Sequence, residues 1–287
     1  MDLHRLSVAR CVDLFIAEDR VVWDAMSRSS RALCALIEAI EPGFCAGGRL
    51  IYVGAGTSGR LGVLDAAEAP PTFQTDPGRV VGIIAGKDPA LRRSSEGLED
   101  DPRGAWPELD ALDPGSDDAV IGIAAGGTTP YVLGAIARCG GCPDPPTTGL
   151  IVCSPPSQPV RVDHLVLIDT GPEILTGSTR LKAATATKLA LNTISTTLMV
   201  RSGRVYQNLM VDLRASNDKL RDRAARIVVE LSGLDRAGAL DLLDRAGGSV
   251  KTAIVMARLG LDRARADRRL DESDGRLDRL LGDDAGA

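Results

Sequence analysis

Hydrophobic residues fall at helical spacing through the first 47 positions, at Val12, Leu14, Phe15, Val22 and Ala25 and then at Leu33, Leu36, Ile37 and Ile40, a pattern that predicts two helices. Beyond them, short apolar and β-branched runs alternate with helical stretches. The expected elements are a strand over 49–53 and a helix over 59–67, a strand over 80–84 and a helix over 89–98, and a strand over 119–124 and a helix over 130–138. Further strands are expected at 149–153 and 164–168. Strands that are apolar throughout and separated by helices belong to a parallel sheet covered on both faces. A long helix is expected from Ser178 to Arg201 and another from Asn217 to Leu231. After that the texture changes: Asp235 and Asp262 are good N-caps, Gly247-Gly248 and Gly260 break the chain, and short Arg- and Asp-rich helices lie between them. The pattern therefore divides the chain into an α/β domain over 1–231, N-terminal helices included, and a small helical bundle over 232–287 with Gly282 to Ala287 frayed.

One segment carries candidate chemistry. Ile51 to Pro71 joins a strand, the loop Gly54-Ala-Gly56-Thr57-Ser58-Gly59 and a helix bearing Glu68. Such a loop lets the backbone turn sharply and present several N–H groups together, at the positive end of the following helix, which suits a phosphate. The three glycines also satisfy the dinucleotide pattern G-x-G-x-x-G. The acidic residue which that reading needs after the next strand is absent, because VVGIIAG leads to Gly86 and Lys87, whereas Thr57 and Ser58 place hydroxyls where a phosphomonoester would use them. A second strand-loop-helix, Ile121 to Pro130, repeats the design: Gly126, Gly127 and Thr128 form the loop, Thr129 is placed to cap the helix and Pro130 to open it. Two such loops at the carboxyl ends of parallel strands converge on one ligand.

Composition narrows the classes. The 287 residues are 44% hydrophobic, enough for a substantial core, while a net charge of -5, a pI near 5.2 and only 3% aromatic residues give neither a basic surface nor a stacking platform for nucleic acid. No run approaches the roughly 18 to 20 apolar residues of a membrane span, and Met1 to Arg5 does not open a secretory signal, so a cytoplasmic protein is expected. Six cysteines without a scaffold pattern read as reduced thiols. Cys139-Gly-Gly-Cys142 is read as incidental, since a structural zinc site needs about four ligands and only His4 and His164 are otherwise at hand. No metal is expected.

These stretches resemble the sugar isomerase (SIS) domain and, more closely, the bacterial N-acetylmuramic acid 6-phosphate etherases. The resemblance rests on Gly47 to Phe73 (GGRLIYVGAGTSGRLGVLDAAEAPPTF), Val80 to Gly86, Gly171 to Asn192 (GPEILTGSTRLKAATATKLALN) and Arg201 to Leu220, with weaker matches at Glu18-Asp19 and Gly247 to Val255. It implies a parallel-sheet SIS-type (flavodoxin-like) α/β sandwich with helices on both faces, a small UBA-like C-terminal bundle and a homodimer. It also implies cleavage of the D-lactyl ether of N-acetylmuramic acid 6-phosphate by elimination and hydration, without a cofactor. The family's proton donor matches Glu68, and its second catalytic acid matches Glu99 in Glu96-Gly-Leu-Glu99-Asp100-Asp101. Gly56, Thr57, Ser58, Arg60, Gly126, Gly127, Thr129, Glu173, Ser178 and Lys182 are the implied substrate and phosphate contacts.

Two departures stand out. Where the family reads ASGRTPYV this chain has Ala125-Gly126-Gly127-Thr128-Thr129-Pro130-Tyr131-Val132, without the serine hydroxyl and the arginine charge, and Arg60, Arg180 or Lys182 are the candidates to compensate. The family's usual N-terminal segment, with a Thr-Glu and an Asn-Pro pair, is also not matched. Glu68 raises a question of reach. An unbroken helix from Ser58 would place it ~15 Å along the axis, long for one sugar phosphate, so either the helix is short or bent before Pro70-Pro71 or the site is completed by a second subunit. Two rivals share the fold: a sugar-phosphate-sensing protein, like the etherase-like eukaryotic glucokinase regulatory protein, and a phosphosugar aldose-ketose isomerase. Retention of both Glu68 and Glu99 favours the enzyme, and no helix-turn-helix segment supports a transcriptional regulator.

Overall fold

A single helix, α1 (Val8–Ala46), stands where two were expected. The computed structural model describes residues 2–94, 96–213 and 218–282. α1 follows a short 3-10 turn at Leu3–Arg5 and is capped by the Ser7 hydroxyl, which accepts the Arg10 N–H. The serine cluster at Ser27 to Ser30 does not break it. The Ser29 hydroxyl turns inward, within 2.8 Å of the Ala25 carbonyl and 2.7 Å of the Leu167 carbonyl. The buried face, Val22, Ala25, Leu33, Leu36, Ile37, Ile40 and Phe44, continues in phase across that point.

Five strands, β1 (Leu50–Gly54), β2 (Val80–Ile84), β3 (Ala119–Ile123), β4 (Thr147–Val152) and β5 (His164–Leu167), pair in parallel in the order β2-β1-β3-β4-β5. Each lies within two residues of its expected position, because an apolar run between turn residues is a strong local signal. Between them run α2 (Gly56–Phe73), the one-turn α3 (Lys87–Ala90), α4 (Trp106–Leu112) and α5 (Pro130–Cys139). Ile51, Val53, Val120, Leu150 and Val152 bury one sheet face against Tyr131, Val132 and Ile136 of α5 and Leu109 of α4. On the other face, Leu36 of α1 covers Gly149 and Gly62 of α2 lies against Tyr52. Cys139 sits in the first of these layers, where burial pushes its thiol up to about 12, so Cys139 is not a reactive thiolate near neutrality.

The helix expected over 89–98 is not formed. Only α3 and a 3-10 turn at Glu96–Leu98 appear, and position 95 lies outside the described residues. The Ala90 and Arg93 carbonyls of this segment accept the Arg60 guanidinium, and the residues after it bond to α5: the Glu99 carbonyl accepts the Tyr131 N–H, at 3.0 Å, and Trp106 Nε1 donates to the Gly134 carbonyl. α6 (Lys182–Arg201) closes the α/β part of the chain.

A second compact unit comprises the chain from Thr197 on, with Ala69–Asp76. It holds a two-residue-per-strand hairpin, β6 (Val205–Tyr206) and β7 (Leu209–Met210), and the helices α7 (Asp218–Ser232), α8 (Arg236–Arg245), α9 (Val250–Leu259), α10 (Arg263–Glu272) and α11 (Leu277–Leu281). The division falls earlier than the expected 231/232 boundary. Tyr206, Val211, Leu213, Ala224, Val228 and Leu231 share one core with Leu243, Ile254 and Leu270, which ties the hairpin and α7 to the helices that follow. Asp235 and Asp262 cap α8 and α10 as expected, accepting the N–H groups of Gly238 and Arg265 at 2.8 Å. The expected helix start at Asn217 and the fraying of 283–287 lie outside the described residues.

Candidate active site

Strand order decides where a ligand belongs. In the order 2-1-3-4-5 the chain reverses its direction of growth between β1 and β3, and the loops leaving those two strands diverge around a crevice at the carboxyl edge of the sheet. These are the two glycine loops. α2 begins at Gly56, earlier than expected, so Gly56, Thr57 and Ser58 form its first turn, whose N–H groups have no partners within the helix. Gly54 and Gly59 are required by packing. A Cβ on Gly59 would lie 2.6 Å from the Ile84 side chain and 2.8 Å from the Gly54 carbonyl, so the loop folds tightly over the strand.

The second loop is pinned from the neighbouring strand. The Ala125 carbonyl accepts N–H groups of both Cys153 and Ser154, and Gly127 closes a turn onto the Ala124 carbonyl at φ +68. Thr129 occupies the N-cap of α5 with extended backbone, but its side chain does not cap the helix as expected. Glu99 is half-buried beside this loop, fixed by the bond from Tyr131 in the first turn of α5.

Glu68 lies elsewhere. α2 is neither short nor broken before Pro70-Pro71, and it runs back along the sheet from the carboxyl edge. Glu68 is exposed, twelve residues beyond Gly56 and therefore ~18 Å along the axis. Strand order thus sets the two glycine loops, with Glu99 bonded to the first turn of α5 beside the second, at the carboxyl edge of the sheet, and Glu68 lies at the far end of the helix that starts at the first loop.

Three expected substrate contacts are taken up by internal bonds. The Arg60 guanidinium donates to the carbonyls of Ala90, at 2.9 Å, and Arg93, at 3.1 Å, holding the α3 segment. Glu173 caps α6, accepting the N–H groups of Lys182 and Ala183. The Lys182 side chain is buried, with Nζ 2.7 Å from Glu18 Oε2 of α1. Ser178 sits in the turn before α6, its N–H on the Leu175 carbonyl. A cavity of about 1170 Å³ lies between α5 and the strap Ser157 to Asp163; it reaches Gly127 and Thr128 but neither glutamate. Among the described residues no three His, Cys, Asp or Glu side chains group as metal ligands, and no helix is long and apolar enough to cross a membrane.

Residues 32–140 match the family model of the glucokinase regulatory protein N-terminal SIS domain. Over 278 residues the chain is 51% identical to the N-acetylmuramic acid 6-phosphate etherase of Parasynechococcus marenigrum (strain WH8102), covering 96% of this chain and 87% of that one. The chain belongs to the N-acetylmuramic acid 6-phosphate etherase family. The etherase of Deinococcus radiodurans is 51% identical over 90% of this chain and 85% of its own, and that of Serratia proteamaculans (strain 568) 49% identical over 96% and 93%.

This etherase-family chain also holds a polar group that pattern reading passed over. Asp65, one turn before Glu68, accepts hydrogen bonds from Tyr52 Oη, at 3.0 Å, and Ser195 Oγ, at 3.1 Å. Burial raises the Asp65 carboxyl above its ordinary value, and Glu68 adds to the rise, while the two hydroxyls and Lys188 oppose it. Burial also drives the Tyr52 phenol well above its usual range, so it stays a donor. The available signal was a tyrosine inside an otherwise apolar strand, which needs a partner for its hydroxyl.

Proposed function

We propose that this chain cleaves the D-lactyl ether of N-acetylmuramic acid 6-phosphate, giving N-acetylglucosamine 6-phosphate and D-lactate. The observation that carries the site assignment is the pair of glycine loops at the β1/β3 switch point with Glu99 docked on the first turn of α5 beside them. The phosphate binds the N-terminal turn of α2 through the N–H groups and hydroxyls of Thr57 and Ser58, with Thr129 and the Gly126-Gly127 backbone on the other side. Arg60, Glu173 and Lys182 shape this crevice by holding the α3 segment, the start of α6 and α1.

In the open-chain substrate the C2 proton is acidified by the C1 aldehyde, and the lactyl oxygen is the leaving group on C3. Glu99 takes the C2 proton, the electron pair forms the C2–C3 double bond, and the C3–O bond breaks as Glu68 gives its proton to the lactyl oxygen. Water then adds at C3 and a proton returns to C2. Each acid or base contributes typically ~10²- to 10⁴-fold. Because Glu68 lies ~18 Å down α2 from the phosphate turn, it serves a site completed by a second copy of the chain, in a homodimer. The reading places the enzyme in the cytoplasm, as a carbon-oxygen lyase that needs no cofactor.

Turnover in H₂¹⁸O tests the chemistry. The label is expected at C3 of N-acetylglucosamine 6-phosphate and not in D-lactate; label in lactate would overturn the elimination route. The isomerase and sensing alternatives are not favoured, since both glutamates are present and relatives over nearly the whole chain are named etherases.

A further inference from the structure

Asp65 is a half-buried carboxylate with no part in the chemistry proposed above, held by two side-chain hydrogen bonds. Its two oxygens take one hydroxyl each, Tyr52 from the middle of β1 and Ser195 from α6, so one carboxylate ties α2 to the sheet and to the neighbouring helix. Three residues on, along the same helical face, comes Glu68. The charged and titratable groups facing Asp65 are Tyr52 from β1, Lys188 from α6 and Glu68 on its own helix.

We propose that Asp65 is a positioning residue for the reaction: the Tyr52–Asp65–Ser195 clamp fixes the rotation of the far end of α2, aims the Glu68 carboxyl and places a carboxylate beside it. This rests on reading Glu68 as the proton donor. The need is geometric. Glu68 is exposed and near the end of a long helix, two residues before Pro70-Pro71, whose missing N–H groups weaken the last turns. A proton donor displaced by even about 1 Å loses on the order of a hundredfold in rate. A clamp one turn upstream is the nearest point at which the fold can prevent that. The carboxylate adds an electrostatic element, because Asp65 and Glu68 repel each other when both are charged, and Glu68 contributes to the rise of the Asp65 carboxyl.

The test is D-lactate release as a function of pH by Asp65→Asn, Ser195→Ala and Glu68→Gln proteins and the Asp65→Asn/Glu68→Gln double variant, each checked for folding by circular dichroism. Asp65→Asn keeps the shape of the side chain and removes its charge. It is expected to lower kcat about ten- to a hundredfold with KM within about threefold, and to move the alkaline limb of the kcat profile to lower pH. Ser195→Ala, which removes one donor and keeps the charge, is expected to lower kcat severalfold without moving that limb. In the Glu68→Gln background Asp65→Asn is expected to add little, since both act through one group. Wild-type kcat and pH profile in folded Asp65→Asn would overturn the proposal, as would equal losses of kcat in the presence and absence of Glu68. If Asp65→Asn does not fold, wild-type kcat in Ser195→Ala overturns it. A Glu68→Gln protein with full activity would instead strike the reading of Glu68, and Asp65 would fall with it.

Discussion

Asp118 shows how single residues in this chain are fixed by bonds the sequence does not announce. It lies buried at the start of β3 and pairs with Arg49, whose Nη2 is 2.6 Å away, and it accepts the backbone N–H groups of Arg49 and Gly115. Burial alone would raise its carboxyl, but the hydrogen bonds from Arg49 and Gly115 outweigh burial and hold it below the ordinary value. A carboxyl lower in the folded than in the unfolded state adds stability above the unfolded value of about 4, and that stability is lost as pH falls through the folded value. Asp118→Asn is therefore expected to cost about 2 kcal/mol at pH 7, with the gap to the parent closing as urea melts are repeated at falling pH below about 4. Gly59→Ala sets a Cβ against the Gly54 carbonyl and the Ile84 side chain; a loss of about 1 to 3 kcal/mol and a raised KM for the phosphosugar are expected. The glycine loops were legible because no other residue type permits that approach. Lys182 was read as a substrate contact on the same evidence of residue type. A lysine near a phosphate loop invites the anion, and nothing local reveals Glu18, 164 residues away, as its partner.

Elements followed the same division between local and distant causes. All five strands of the sheet could be placed from their apolar runs, and Asp235 and Asp262 announced the starts of two helices. The 89–98 helix failed because the Ala90 and Arg93 carbonyls of that stretch accept the Arg60 guanidinium of α2, and the expected division of α1 vanished because Ser29 turns its hydroxyl onto carbonyls of α1 and β5. The start of α6 is set in a comparable way. Glu173 satisfies two of the N–H groups that every helix leaves open at this end. Glu173→Ala is expected to destabilise the protein by about 1 kcal/mol, measured by urea unfolding; an unchanged midpoint would show that water replaces the cap without loss.

At the scale of the whole molecule, the parallel sheet and the two glycine loops at its strand ends could be read from the chain, but the strand order that sets β1 beside β3, and the unbroken run of α2 that carries Glu68 away from the loop, could not. Helix length alone raised the question, and the unbroken α2 sharpens it. If the site is shared, equal mixing of Glu68→Gln and Ser58→Ala chains after joint refolding restores about one quarter of parental sites, since half the dimers are mixed and each has one intact site. Activity no greater than in either variant alone would place both groups in one chain. The most direct measurement is release of D-lactate from N-acetylmuramic acid 6-phosphate by the purified protein, alongside its Glu68→Gln and Glu99→Gln variants. The expected result is stoichiometric D-lactate from the parent and a loss of about a hundredfold or more in each variant. No D-lactate from folded parent protein, or undiminished release by the variants, would contradict the assignment.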